Sequence, residues 1–122
     1  MKKATIIFIF LLFSLSIFSQ TVDCEELIEY VKSNGTSKAT VNSWQLIDSD
    51  WLKKVEAWEI DNAIVVIASI KKDQYTILAK DYIFCGIPSR NWDNFYNSWN
   101  DIGKTYGEKF HLYIIDYICN CN

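Results

Sequence analysis

Hydrophobic and polar positions change period along this chain, and each change marks a different element. Asp23 with Glu26 forms a capping pair, Leu27, Tyr30 and Val31 follow at helical spacing, and Ser33-Asn34-Gly35 supplies a stop. This predicts a short helix from about Cys24 to Lys32. Thr36–Thr40 reads as a polar connection. Val41–Ile47 reads as extended, with Trp44 and Leu46 facing away from Ser43 and Gln45, and Asp48-Ser49-Asp50 breaks it. Trp51–Ile60 carries Val55, Ala57, Trp58 and Ile60, and Asp61-Asn62 then makes a hairpin turn signal without the favoured glycine. Ala63–Ile70 is a continuous β-branched run, which predicts a central strand buried on both faces. After a turn at Lys71-Lys72-Asp73, Tyr75–Phe84 reads as the next strand. Consecutive hairpin-linked strands make an antiparallel meander.

The period then becomes helical. Pro88 and Ser89 open a helix in which Trp92, Phe95, Tyr96 and Trp99 fall at i, i+3, i+4 and i+7, an aromatic face expected to cover the sheet. Gly103 ends that segment. Phe110, Tyr113, Ile114 and Tyr117 repeat the spacing and favour a second helix over Glu108–Ile118, although the β-branched and aromatic content of residues 113–119 leaves a strand open. The fold class expected is α+β: an antiparallel β-meander of three to four strands, with an N-terminal helix and two C-terminal helices packed on it.

The N-terminal segment and the cysteines lead us to expect a domain outside the cytoplasm. Met1-Lys2-Lys3 precedes an apolar run from Ala4 to Phe18, and Ser19 is a small residue suited to the position before cleavage. The run ends at polar Gln20-Thr21, short of the roughly 20 apolar residues that a membrane span requires. Residues 1–19 are therefore expected to be a cleaved signal peptide, and residues 20–122 a single exported domain, periplasmic or secreted. Loss of Lys2 and Lys3 leaves ten basic against fifteen acidic residues, a net charge of −5. Such a surface repels phosphate backbones and anionic lipid, so neither nucleic acid nor membrane is the expected partner.

Cys24, Cys85, Cys119 and Cys121 all follow the leader, and an even count in an exported chain argues for disulfides. Only one residue separates Cys119 from Cys121, which makes a mutual bond awkward. Two schemes remain, each joining Cys24 to one end of Cys119-Asn120-Cys121 and Cys85 to the other. Closing the long loop from Cys24 would stabilise by about 4–5 kcal/mol in the chain-entropy model. A soft metal site of Cys85, Cys119, Cys121 and His111 is the alternative, but its spacing is poor for zinc, and no metal is expected.

One set of residues resembles a known family. Tyr82-x-Phe84, then Ile87-Pro88, Trp92 and Phe95, then Thr105-x-Gly107-x-x-Phe110-His111-x-x-Ile114 is similar to the KTSC domain, a small module found at the end of some lysyl-tRNA synthetases and alone in many bacterial proteins. Phe84 stands where that pattern has a tyrosine, Thr105 where it has serine, and His111 where it has asparagine. The resemblance covers about residues 49–114. It implies a small β-meander with packed helices and no defined activity. It also makes Tyr82, Phe84, Trp92, Thr105, Gly107, Phe110 and His111 the candidate binding residues and brings in RNA binding by analogy.

Reactive chemistry is sparse. His111 is the one histidine, and its candidate nucleophiles Thr105, Ser98 and Tyr106 carry no elbow or oxyanion-loop signature. At a helix start, a capping or hydrogen-bonding role suits it better. Gly103 and Gly107 lack a phosphate-loop pattern, so no cofactor is expected. The function expected is a monomeric, non-catalytic binding or structural module acting through an unidentified protein partner. It requires an exposed cluster among Trp44, Trp51, Trp58, Tyr75, Tyr82 and Tyr106. The alternatives are an RNA-binding module with a basic aromatic face at Tyr82, Lys104, Tyr106 and Lys109, and a small hydrolase around His111.

Overall fold

The computed structural model describes residues 23–73 and 75–121; the leader expected at residues 1–19 and its cleavage point lie outside them. Helix α1 (Cys24–Asn34) leads into strands β1 (Thr36–Val41), β2 (Leu52–Ile60), β3 (Ala63–Lys71) and β4 (Ala79–Phe84), followed by helices α2 (Ser89–Tyr96) and α3 (Tyr106–Tyr113). The strands form one antiparallel sheet in the order β1-β2-β3-β4. The architecture is the expected α+β meander, with its helices on both faces.

The apolar run of β3 explains the layering. Successive side chains of a strand point to opposite faces. Ile64, Val66 and Ala68 join Val55, Ala57 and Phe84 under α2 and α3, where Trp92, Phe95, Phe110 and Ile114 close the larger core. Val65 and Ile67 face the other way, with Ile83, and meet Ile28 and Val31 of α1. The turn from β2 to β3 needs no glycine because Asp61 and Asn62, at φ 51° and 64°, both tolerate the left-handed region that a type I′ turn demands.

Three boundaries differ from the sequence reading, each for a physical reason. The segment read as a polar connection is the edge strand β1, whose backbone pairs with β2 from Thr36↔Glu59 to Val41↔Val55. Only Val41 of β1 is buried, so no apolar alternation announces it. Val41–Ile47 is correspondingly not a strand: Asn42 N–H donates to Gln45 Oε1 (3.0 Å) at the start of a 3₁₀ turn over Ser43–Gln45. The last strand begins at Ala79 rather than Tyr75.

The helices also shift. α2 stops at Tyr96, because Asn97 turns extended and its Oδ1 accepts from Trp99 N–H (2.9 Å), an Asx turn that leaves Trp99 outside the helix. Helix α3 begins two residues earlier than Glu108 and ends at Tyr113. A 3₁₀ turn at Ile115–Tyr117 then delivers Ile118 to a bridge with Phe84. Residues 108–118 are thus part helix and part strand-like tail. Cys85 N–H donates to Tyr117 O (2.8 Å) and Cys119 N–H to Ile83 O (3.1 Å), so the tail lies along the end of β4.

That tail decides the cysteine pairing. Cys119 is brought to Cys85 and Cys121 to Cys24, each pair with Cα atoms 5.1 Å apart. All four thiols are thereby bonded, which removes the thiolate set of the metal alternative. Two disulfides fit an oxidising compartment. Among the described residues no helix is long and apolar enough to cross a membrane.

Non-reducing peptide mapping should recover the Cys24–Cys121 and Cys85–Cys119 pairs. Replacing Cys24 and Cys121 together by serine opens the longer closure, and urea unfolding should then show a loss of about 3–5 kcal/mol. A loss near zero would mean that this bond does not constrain the unfolded chain.

Candidate functional site

Most residues singled out by the family resemblance meet in one place, and that place is the core. Phe110 is fully buried and meets Trp51 edge-on at 5.8 Å, Phe84 at 5.3 Å and Phe95 at 6.0 Å. Trp92 is buried beside Phe95 at 5.4 Å. Burial of each such ring contributes about 2–3 kcal/mol, so Phe84, Trp92 and Phe110 hold the fold. Tyr82 lies half-buried at the rim, with the Lys80 ammonium 5.3 Å from its ring centroid.

Thr105 and Gly107 build the start of α3. Thr105 Oγ1 accepts from Glu108 N–H (3.1 Å), and Glu108 Oε1 accepts in return from Thr105 N–H (2.8 Å), a complete capping box. The Thr105 N–H holds the Glu108 carboxyl below the usual carboxylate range. Gly107 N–H, another donor without a partner inside the helix, donates to the buried Ser49 Oγ at 2.7 Å. A Cβ at Gly107 would meet Ser49 Oγ at 3.0 Å and the Trp51 indole at 3.1 Å, so this close crossing favours glycine.

His111 is placed differently from its expected role. The cap sits at Thr105, so His111 falls in the last turn of α3 rather than at its start. Its exposed ring lies 5.2 Å from Trp51, and it makes no hydrogen bond among the described residues. The hydroxyl of Thr105, one candidate nucleophile, is engaged in the cap.

The notable polar arrangement lies one turn away and was missed in the sequence. Lys109 is only 3% exposed. Its Nζ donates to Asn97 O (3.3 Å) and sits 5.0 Å from the centroid of the Tyr106 ring. Burial pushes its ammonium pKa down, opposed by the carboxylates of Asp101 and Asp48. The i, i+3 spacing of Tyr106 and Lys109 was a legible sign that the two side chains touch. Lys109 is therefore not part of a basic outer face with Lys104.

Its hydrogen bond fixes the loop between α2 and α3. The Tyr113 hydroxyl binds Asp101 in the same loop, which raises the tyrosine pKa. The Asn100 amide donates to Asp93 O (3.4 Å) and Asn94 Oδ1 (3.1 Å). Beside this loop Tyr96, stacked on Trp92 at 5.4 Å, joins Trp99 and Tyr106 in lining a cleft of about 600 Å³. Burial, with Tyr96 nearby, raises the Tyr106 pKa.

A second groove, about 520 Å³, runs along the open side of β4 between Asp23, Glu25 and the tail at Ile118–Cys121. The connection from β3 to β4 projects a third feature: Tyr75 is 88% exposed, Ile77 90% and Leu78 65%. Of the aromatic residues expected to stay outside the core, Trp44 and Tyr75 are exposed, whereas Trp51, Trp58, Tyr82 and Tyr106 are half-buried.

Two measurements check this geometry. Lys109→Met should change thermal stability by less than about 1.5 kcal/mol, since the cost of burying the ammonium is relieved while its hydrogen bond to Asn97 O is lost. Hydrogen exchange at residues 97–104 should nevertheless accelerate, because the Asn97 anchor is gone. The capping box sets a pH dependence. A carboxyl with a depressed folded pKa gives stability that is complete above the ordinary glutamate pKa and is lost as pH falls through the depressed value. From about pH 5 downward, wild-type melting temperature should therefore fall relative to Glu108→Gln, which keeps an acceptor that does not titrate.

No family model matches the chain, and neither a curated protein nor a solved structure matches it.

Proposed function

We propose that this chain is an exported, non-catalytic binding module that acts through protein–protein contact, its leader being removed near Ser19 and residues 49–114 forming a domain of the KTSC type. The observation that carries the reading is the connection from β3 to β4, where Tyr75 and Ile77 stand almost wholly in solvent and Leu78 is largely exposed. Large apolar side chains exposed in succession on a small domain mark a contact surface. They adjoin Ala79–Tyr82 of β4, the stretch of that strand which precedes its pairing with the tail. A partner that covers the connection also meets a sheet edge offering backbone donors and acceptors.

The two disulfides support export, since they persist where thiols oxidise. The non-catalytic reading is supported by His111, whose ring lies against Trp51, and by the engagement of Thr105 in its cap. The KTSC reading is supported by the residues quoted for it, whose apolar members Phe84, Trp92 and Phe110 share one core.

The test is a pull-down from envelope extract with wild-type protein and a Tyr75→Ser, Ile77→Ser, Leu78→Ser variant. Wild type should retain a stoichiometric protein partner that the variant loses, with unchanged circular dichroism. Equal retention by both proteins, or no partner for either, would overturn the reading.

A further inference from the structure

The cleft beside the α2–α3 loop combines features that the protein-contact reading does not use. Its aromatic members are Tyr96, Trp99 and Tyr106, which line an open depression of about 600 Å³ on the surface. Trp99 is 79% exposed, so its indole is a platform rather than a core group. The other two rings are held from behind, Tyr96 by Trp92 and Tyr106 by Phe95 at 5.4 Å.

Polar groups ring the same cleft. Asp93 and Ser98 are among the residues that line it, and their side chains make no hydrogen bond among the described residues. Gln45 turns its Oε1 to Asn42 N–H, which leaves its amide N–H groups for a ligand. Aromatic residues alternate here with residues bearing carboxylate, hydroxyl and amide groups able to meet vicinal hydroxyls in pairs.

The loop carrying Trp99 is held at a cost that sheet covering does not require. Burying an ammonium is unfavourable, yet Lys109 is withdrawn from water to anchor Asn97. Asp101 and Asn100 add the two further anchors already described. Preorganisation of this kind raises affinity by removing the cost of ordering a loop on binding.

We propose that this cleft is a binding site for a neutral oligosaccharide. A pyranose ring offers a flat face of C–H bonds to the aromatic platform and a rim of hydroxyls to Asp93, Ser98 and Gln45. Charge argues against an anionic ligand: the nearby cation, Lys109, is buried against Asn97 O and Tyr106, while the acidic Asp93 is among the lining residues. A proline-rich peptide also favours aromatic grooves, but such grooves are mainly apolar, whereas this one carries several polar side chains on its wall.

The experiment is an NMR titration of the folded, oxidised protein with chitotetraose, cellotetraose and mannotetraose, and separately with a proline decamer. At least one of the three sugars should give saturable shifts at the Trp99 indole and at the side-chain amides of Gln45, Asn97 and Asn100. Trp99→Ala, an exposed position whose loss spares the core, should weaken that binding about tenfold or more. Asp93→Asn should weaken it while leaving the melting temperature unchanged. No saturable shift with any sugar, shifts indifferent to Trp99→Ala, or a response to the proline peptide alone would overturn the proposal. The protein-contact reading is independent of these outcomes, since the serine variants at Tyr75, Ile77 and Leu78 lie outside the cleft.

Discussion

Phe110 is the contact on which this structure turns. Its ring meets Trp51 just before β2, Phe84 at the end of β4 and Phe95 of α2, so one side chain of α3 joins the sheet to both C-terminal helices. Edge-to-face packing of this kind adds about 0.5–1.5 kcal/mol per pair beyond area burial and also fixes ring orientation. The crossing that permits it is made at Gly107, where a Cβ would press on the Ser49 hydroxyl at 3.0 Å and the Trp51 indole at 3.1 Å, so that either would have to give way to a side chain. Family-like residues that suggested a binding face thus turn out to be the means by which three elements are held in register.

The sheet has a second face with a different kind of support. Helix α1 contributes only Ile28 and Val31 as fully buried apolar residues, a small area for holding a helix of 11 residues. The disulfide from its first residue to Cys121 supplements that packing, and the Cys119–Cys85 bond with the tail's two backbone hydrogen bonds fixes the other end. Hydrophobic packing dominates under α2 and α3, and covalent closure compensates under α1.

Where local pattern was strong, the fold was legible. The β-branched run of β3, the Asp61-Asn62 turn and the aromatic spacing of Trp92 and Phe95 each encode their own structure. β1 was illegible because its conformation comes from pairing with β2, and its sequence buries only Val41. The start of α3 was written plainly in Thr105-x-x-Glu108, but the apolar period drew attention two residues too far along. The cysteine pairing could be read only as far as two schemes, since a one-residue spacing treats both alike until the tail meets β4. The cleft is the extreme case. Trp99 looked like one more ring on a helical face, but the Asx turn at Asn97, held by the buried Lys109, takes the chain out of the helix before it.

The Cys24–Cys121 bond makes almost all of the described chain a covalent ring. A protease cutting the exposed connection at Tyr75–Leu78 would open that ring without releasing a fragment, because both new ends remain tethered through sulfur. A cut between Cys85 and Cys119 would be bridged twice. The solvent-facing connections of this protein can therefore be nicked while the molecule stays in one piece, an asset wherever peptidases share its surroundings.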